Sequence, residues 1–196
     1  MINLSNSLQF VSIASVFMTK WPSEIRHLIR LKVGTFYNLP LDDLPDDAFH
    51  GFEDAKVVMD FISPNFKGIP KALRILNKMT ELDISKDLRI TSNNINKDSF
   101  KGMTSLHTLS IDNCNITEVP DLSKLHNLSS LQLPNCPISQ WNKGKPISVN
   151  TVVLDNTEIT EIPRIITELK NVSFFVILSN QNYRDKSRRP NGTYKS

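Results

Sequence analysis

Residues that build most catalytic and metal sites are scarce in this sequence. Its 196 residues include two cysteines, four histidines and six glycines. The histidines His27, His50, His107 and His126 lie far apart, and no Cys/His grouping has the spacing of a zinc site. A glycine-rich phosphate loop, a nucleophile elbow and a Glu-x-x-His pattern are also lacking. We therefore expect a protein that is not an enzyme and that uses no cofactor or metal.

An excess of one charge is also lacking over most of the chain. The net charge is +3, but from Tyr183 onward five basic residues stand against one acidic residue. The totals of 23 basic and 20 acidic residues therefore leave 18 and 19 in the rest of the chain. Such a near-neutral body lacks the basic footprint of a nucleic-acid-binding protein. The acidic run at 42–47 lacks the ligand spacing of a calcium loop, so we interpret it as a solvated turn.

The apolar run Leu8–Met18 has no Lys or Arg before it, unlike the apolar core of a signal peptide. It is also too short to span a bilayer. The sequence leaves two interpretations of residues 1–27 open: a degenerate N-terminal repeat or cap, or a signal-like segment.

What the sequence does contain is a recurring apolar spacing, which the stretch Leu106–Pro120 illustrates. Apolar residues occupy its positions one, four, six, nine, eleven and fourteen, a pattern of neither a plain helix nor a plain strand. They are Leu106, Leu109, Ile111, Cys114, Ile116 and Val119. The spacing predicts a short strand around Ser110 with alternate side chains inward, followed by a turn at Cys114. One such unit cannot bury its apolar edge, so copies must stack on either side.

Eight copies of this spacing follow one another along the chain. With the fourth position as marker, they are separated by 20, 27, 24, 27, 22, 21 and 23 residues. The markers are Val11, Leu31, Val58, Leu82, Leu109, Leu131, Val152 and Phe175. The pattern resembles the leucine-rich repeat, L-x-x-L-x-L-x-x-[NC]-x-L. The pieces Ala48–Phe52 and Asp98–Met103 are similar to repeat endings of animal extracellular members, and their Phe49 and Phe100 should pack into the convex side of the coil.

That resemblance implies a fold and a domain organisation. The expected fold class is an α/β solenoid, a horseshoe of roughly seven to eight repeats with a curved parallel β-sheet on its concave face. Irregular, 3-10 or short helical segments should line the convex face. The repeats are expected over residues 28–180, and residues 181–196 are expected to form a disordered basic tail.

The third unit fits two registers. With Val58 as its marker, Asp60 falls at a position that should point inward. A slip of one residue instead places Val57, Met59 and Phe61 inside and leaves Asp60 in solvent, where a carboxylate is less costly. The sequence leaves both registers open.

Cys114 and Cys136 stand 22 residues apart, at equivalent turn positions of neighbouring repeats. We predict two stacked, buried thiols, because free cysteine packs as a small hydrophobe. A disulfide between them is the alternative.

Five N-glycosylation sequons begin at asparagines that the repeat register leaves facing outward. These asparagines are Asn3, Asn115, Asn127, Asn171 and Asn191. Together with the repeat endings, they favour an extracellular or secreted glycoprotein, with a cytoplasmic location as the alternative.

Residues beside the inward positions of each strand should form columns on the concave face, the surface that such repeats usually use for binding. The predicted column between the fourth and sixth positions is Ser12, Lys32, Met59, Asp83, Ser110, Gln132, Val153 and Val176. The predicted column after the sixth position is Ala14, Gly34, Phe61, Ser85, Asp112, Pro134, Asp155 and Leu178. The middle of both columns is polar, and their C-terminal end is apolar.

These columns predict a protein-binding module whose partner is a protein ligand or receptor. The candidate ligand-binding residues are Asp83, Ser85, Ser110, Asp112, Asn113, Gln132, Val153, Asp155, Val176 and Leu178. We expect no nucleic acid and no small-molecule substrate, and membrane contact only through an anchor beyond this sequence. The alternative is a non-catalytic subunit, or a fragment of a larger leucine-rich repeat protein, whose apolar strand at 173–178 pairs with another chain.

Overall fold

A computed structural model describes residues 7–14, 17–39, 41–96, 98–141 and 148–178. Eight parallel strands form one sheet, and their order in the sheet is their order in the sequence. The strands are β1 (Phe10–Ala14), β2 (Val33–Tyr37), β3 (Val58–Ile62), β4 (Glu81–Ser85), β5 (Thr108–Asp112), β6 (Ser130–Gln132), β7 (Thr151–Val153) and β8 (Phe174–Val176). The predicted parallel solenoid is confirmed, with about seven turns.

In the described residues, three short 3-10 helices lie on the connections between strands. They span Ser23–His27, Lys71–Ile75 and Arg164–Glu168, and each follows a proline. A proline is suited to this position because its φ is already close to that of a helix and its missing N–H would have no helical partner. Among the described residues there is no helix with the length and apolar character needed to span a bilayer.

The core is built from side chains that repeat from one turn to the next. Leu82 pairs with Leu109, and Ile84 pairs with Ile111, so equivalent inward residues lie side by side. All four are buried. Full burial of one such side chain contributes about 1.5–3 kcal/mol relative to exposure, so the stacking of turns is the main stabilising feature. The phenylalanines of the two repeat endings are also buried, as predicted.

The second unit has a different register from the predicted one. Val11 pairs with Gly34, and Gly34 pairs with Met59, so Gly34 and not Leu31 occupies the fourth position. A Cβ on Gly34 would lie 2.9 Å from the Phe36 ring and 3.1 Å from the Met59 sulfur. The Phe36 ring thus fills the space that an aliphatic fourth residue would take. The repeat pattern predicted the wrong fourth position here because it requires an apolar side chain, and glycine has none.

The third unit adopts the slipped register. Val57, Met59 and Phe61 are fully buried, whereas Asp60 is only partly buried on the opposite face of the sheet. The marker Val58 was therefore wrong, and Met59 takes its place. The other register would have placed the carboxylate of Asp60 in the core, which is energetically costly. The alternation of inward and outward side chains along the strand therefore favours the slipped register.

An aromatic cluster joins β2 and β3 to the segment that precedes β2. The Phe36 ring stacks on Phe61 with a centroid separation of 5.2 Å, and Trp21 lies 4.9 Å from Phe36. Trp21 also contacts Phe49, and its indole Nε1–H donates to the carbonyl of Ala48 at 3.2 Å. Such aromatic pairs add about 0.5–1.5 kcal/mol each beyond burial. The cluster therefore packs the segment before β2 onto the solenoid.

Cys114 and Cys136 form a disulfide, so the prediction of two free thiols is wrong. Their Cα atoms are 5.0 Å apart, close to the distance between neighbouring strands and within the range that a disulfide requires. Equivalent positions in adjacent turns thus bring the two sulfur atoms together. The expected tail at 181–196 lies outside the described residues.

Candidate ligand-binding face

The outward-facing residues of the strands form two continuous columns, which we call the open sheet face. Strand pairing gives the first column as Ser12, Thr35, Asp60, Asp83, Ser110, Gln132, Val153 and Val176. Thr35 and Asp60 therefore replace the predicted Lys32 and Met59. The correction follows from the changed register of β2 and β3.

The second column is corrected at the same two strands. It runs through Ala14, Tyr37, Ile62, Ser85 and Asp112 by strand pairing. Backbone hydrogen bonds carry it on through Pro134, Asp155 and Leu178. The predicted members Gly34 and Phe61 instead lie in the buried layer, so Tyr37 and Ile62 take their places.

Carboxylates gather at the centre of the open sheet face. Asp83 pairs with Asp60 on one side and with Ser110 on the other. One of its oxygens, Oδ1, has no solvent contact and no hydrogen-bond partner. Burial raises the pKa of Asp83, and the nearby charges of Asp60 and Asp112 raise it further, against a hydrogen bond with Ser110. The ionised form of Asp83 is therefore poorly stabilised by the protein itself.

A residue with left-handed backbone follows the second column in six successive turns. The six residues are Asn38, Ser63, Lys86, Asn113, Asn135 and Asn156, with φ between 50° and 59°. Each donates its N–H to a carbonyl of the next turn, as Asn113 does to Pro134 at 3.1 Å. Sequence reasoning missed this device. The available signal was asparagine at four of the six positions, since asparagine tolerates this backbone conformation.

Asn113, one of the candidate ligand-binding residues, lies at the rim of the open sheet face. Its side chain is exposed, but its position is fixed by the left-handed bend after β5. The two asparagines of the following turns are joined by their side chains: Asn156 Nδ2 donates to Asn135 Oδ1 at 2.9 Å, and Asn135 Nδ2 donates to Asp112 Oδ1 at 2.6 Å. This ladder fixes the rim of the open sheet face beside Asp112.

Solved structures with the same architecture include leucine-rich repeat domains. The leucine-rich repeat domain of the type III effector XopL matches with a TM-score of 0.56 and 18% identity, covering 85% of this chain and 75% of that domain. Internalin C2 from Listeria monocytogenes matches with a TM-score of 0.52 and 19% identity, covering 78% and 74%. The chain therefore has the leucine-rich repeat fold.

One curated protein also resembles this chain in sequence. Lumican from Bos taurus is 27% identical over 147 residues, which cover 64% of this chain and 43% of lumican. The chain thus spans less than half the length of this relative. No protein-family model matches the sequence.

The candidate ligand-binding residues of the chain differ in accessibility. Ser110 is 9% exposed and is hydrogen-bonded with Asp83, so it supports the carboxylate more than it offers a contact surface. The partly buried members are Asp83, Ser85, Asp112, Gln132, Val153, Asp155 and Val176. Asn113 and Leu178 are exposed. All ten lie along the open sheet face or its rim, so the fold brings them onto one surface.

Apolar side chains flank the acidic centre of the open sheet face on both sides. Tyr37 and Ile62 lie at its N-terminal side, and Val153 and Val176 lie at its C-terminal side. Beside Val176, Phe174 is 54% exposed. An acidic centre between apolar flanks is an arrangement that can contact both charged and apolar groups of one partner.

Three of the predicted glycan acceptors lie on the described surface. Asn115, Asn127 and Asn171 are exposed. Asn115 Nδ2 donates to the carbonyl of Leu88 at 2.6 Å, and Asn127 Nδ2 donates to that of Thr104 at 2.8 Å. Asn3 and Asn191 lie outside the described residues. Within the described ranges, no group of three or more His, Cys, Asp or Glu side chains is arranged to hold a metal ion.

Proposed function

We propose that this leucine-rich repeat protein is a non-enzymatic binding module that recognises a protein ligand through the open sheet face. The observation that carries the proposal is the group of partly exposed carboxylates of Asp60, Asp83 and Asp112 at the centre of the open sheet face. These like charges repel one another in the free protein. A cationic group of a ligand would lower this repulsion, so the site favours occupancy.

The charges of the open sheet face favour a partner with basic side chains. Asp60, Asp83 and Asp112 are close enough to affect one another, since the first and third both raise the pKa of the second. A lysine or arginine of a partner would lower that repulsion and donate charge-assisted hydrogen bonds to the accessible carboxylate oxygens. The flanking Val153 and Val176 would contact apolar residues of the same partner.

Charge reversal tests this proposal. A random peptide library selected on the immobilised protein should yield peptides that combine basic and apolar residues. Asp112→Lys together with Asp155→Lys should weaken binding of such a peptide at least about tenfold, because loss of a charged contact costs about 1.5–3 kcal/mol.

Asp46→Lys together with Asp47→Lys is the matched control, since both residues are exposed and lie away from the sheet. Circular dichroism checks that each variant is folded. If the sheet variant Asp112→Lys with Asp155→Lys does not fold, Asp83→Asn is tested in its place. This substitution removes one charge with little change of shape. Equal binding by the sheet variant and the wild type would refute the proposal.

We also propose that the protein is extracellular or secreted. Disulfides persist mainly in oxidising compartments, and the bond between Cys114 and Cys136 fits that environment. The exposed sequons at Asn115, Asn127 and Asn171 would then be glycan acceptors. Expression in secretory cells, followed by treatment with a glycosidase, should lower the apparent mass of the product. An unchanged mass, with the protein retained in the cytoplasm, would favour the cytoplasmic alternative.

Strand β8 supports a second candidate function, that of a non-catalytic subunit which pairs with another chain. Phe174 and Leu178 are 54% and 59% exposed, and β8 is an edge strand of the described sheet. An exposed apolar edge favours association. Light scattering decides between the candidates: self-association that Phe174→Lys abolishes would support the subunit, whereas a soluble monomer would count against it.

A further inference from the structure

A small cavity away from the open sheet face is lined by three cationic side chains. Its volume is about 180 Å³, and its lining includes Lys67, Lys71 and Arg74. We propose that this basic cavity binds a phosphate or sulfate group. None of its lining residues belongs to the open sheet face, so the inference is independent of the proposed protein ligand.

Two of the three cations of the basic cavity, Lys71 and Arg74, are not neutralised by neighbouring carboxylates. Within the described part of the chain, neither Lys71 nor Arg74 takes part in an ion pair, whereas Lys67 pairs with Asp42 at 2.6 Å. The Nε of Arg74 has no solvent contact and no hydrogen-bond partner. Asp43 is the acidic residue in the lining, and its Oδ1 already accepts the N–H of Leu44 at 2.8 Å.

The cavity also has a polar wall, formed by Gly68, Asn94 and Ser99. Hydrogen bonds and a close backbone contact fix its position. Asn94 Oδ1 accepts the N–H of Thr91 at 2.8 Å, and Asn94 Nδ2 donates to the carbonyl of Arg89 at 2.8 Å. Gly68 has φ +152°, and a Cβ there would lie 2.8 Å from the carbonyl oxygen of Asn94. The close approach requires glycine and fixes the loop that carries Lys67.

Ser99 adds a buried hydroxyl to the same wall. It is 3% exposed, and its oxygen accepts the N–H of Asn96 at 3.0 Å. The hydroxyl hydrogen is a further donor, so the cavity combines cationic donors with a neutral one. A tetrahedral oxyanion matches this set because its oxygens accept from several directions, and arginine and lysine both bind such groups. Free phosphate, free sulfate and a sulfate ester on a sugar share this chemistry.

A titration followed by ¹H–¹⁵N NMR tests the proposal with sodium sulfate and sodium phosphate as probes. Sodium chloride at equal ionic strength is the reference. We expect saturable chemical-shift changes at the amides of Gly68, Lys71, Asn94 and Ser99 when sulfate or phosphate is added. Chloride should not produce this pattern of changes. Shifts that merely follow ionic strength would overturn the proposal.

Variants of the cations provide the second arm. Lys71→Gln together with Arg74→Gln should lower the affinity for sulfate by at least about tenfold, as expected for the loss of charge-assisted hydrogen bonds. Lys124→Gln removes an exposed lysine elsewhere and should leave the affinity unchanged. If the double variant does not fold by circular dichroism, Lys71→Gln alone should still weaken binding. Wild-type affinity in a folded Lys71→Gln or double variant would overturn the proposal.

A sulfated disaccharide and its unsulfated counterpart distinguish the sources of the anion. Tighter binding of the sulfated sugar than of inorganic sulfate supports a sulfate ester as the natural group. Equal binding of the two supports a free anion. In both cases the unsulfated sugar should not bind, and binding of the unsulfated sugar with equal affinity would overturn recognition of the anion.

Discussion

At the scale of single residues, two partly or fully buried aspartates have different roles. Asp87 is 3% exposed, and its two oxygens accept the N–H groups of Phe66 at 2.6 Å and Arg89 at 3.1 Å. Asp83 lies on the open sheet face with one oxygen unpaired. Burial is the main cause that raises the pKa of both. Asp87 therefore holds two chain segments together, whereas Asp83 contributes a partly exposed negative charge to the open sheet face.

Replacement of Asp83 by asparagine should stabilise the folded protein at neutral pH. Folding raises the pKa of Asp83, so the protonated carboxyl makes a favourable contribution to stability that is fully present below the unfolded-state pKa. It is lost as the pH rises through the folded-state pKa. The amide that replaces the carboxylate does not ionise, so urea unfolding should show a gain for Asp83→Asn at neutral pH that shrinks at acid pH. A variant that is less stable at neutral pH would contradict this explanation.

Replacement of Asp87 by alanine should destabilise the protein. It leaves the N–H groups of Phe66 and Arg89 without their acceptor, and an unpaired buried donor costs about 1–3 kcal/mol. The free energy of unfolding in urea measures the loss. Asp98→Ala is the control at an exposed position and should change stability by less than about 0.5 kcal/mol. Equal stability of the two variants would show that the hydrogen bonds of Asp87 contribute little.

At the scale of elements, the repeat endings place glycine where the chain turns closely over its neighbour. Gly51 and Gly102 occupy equivalent places after the buried Phe49 and Phe100, with φ of +92° and +88°. A Cβ on Gly51 would lie 3.3 Å from the carbonyl oxygen of Arg26, but one on Gly102 would lie 2.2 Å from that of Arg74. The same turn is therefore tighter in the later repeat.

This pair of glycines gives a matched prediction. Gly51→Ala should cost about 1–2 kcal/mol through the left-handed backbone alone. Gly102→Ala should cost at least about 1 kcal/mol more, because overpacking against the backbone at Arg74 adds to that penalty. Thermal or urea unfolding of the two variants provides the comparison. Equal losses would show that the closer contact relaxes without cost.

The sequence predicted the elements wherever apolar side chains marked the turns. Leu109 and Leu131 fall at the expected fourth positions because their own side chains fill the core. Gly34 could not be found this way, since the neighbouring Phe36 ring fills its place. The spacing of the two cysteines correctly predicted that they would be adjacent, but the prediction that they would remain free thiols was wrong.

The ligand face was predictable only in part. Alternation along β4 and β5 placed Asp83 and Asp112 outward correctly. The burial of Ser110 and the unpaired oxygen of Asp83 depend on the packing of neighbouring turns, which one sequence does not express. The residues of the basic cavity are separated along the chain, so only folding brings Lys67 and Ser99 to one cavity.

At the scale of the whole molecule, each turn contacts its neighbours in sequence. Strand order follows chain order through all eight strands, so stability is approximately a sum of turns and of the interfaces between them. The disulfide joins the turns that carry β5 and β6. It therefore reinforces the interface between the turns that carry Asp112 and Gln132, in the middle of the open sheet face.

Removal of the disulfide should lower stability without changing the fold. Cys114→Ser together with Cys136→Ser opens a connection between residues 22 apart, and the expected loss is about 3 kcal/mol. The free energy of unfolding measures it, and addition of a reductant should change the wild type and not the variant. A wild type that is insensitive to reductant would contradict the assigned stabilising role.

Hydrogen exchange with and without a peptide selected on the protein tests the central claim, ligand binding by the open sheet face, most directly. We expect bound peptide to slow amide exchange in β4–β8 and around Asn113, because the ligand covers those strands and reduces local opening. Exchange in the connection Lys71–Ile75, away from the sheet, should remain unchanged. Protection confined to such connections, with the strands unaffected, would contradict the account.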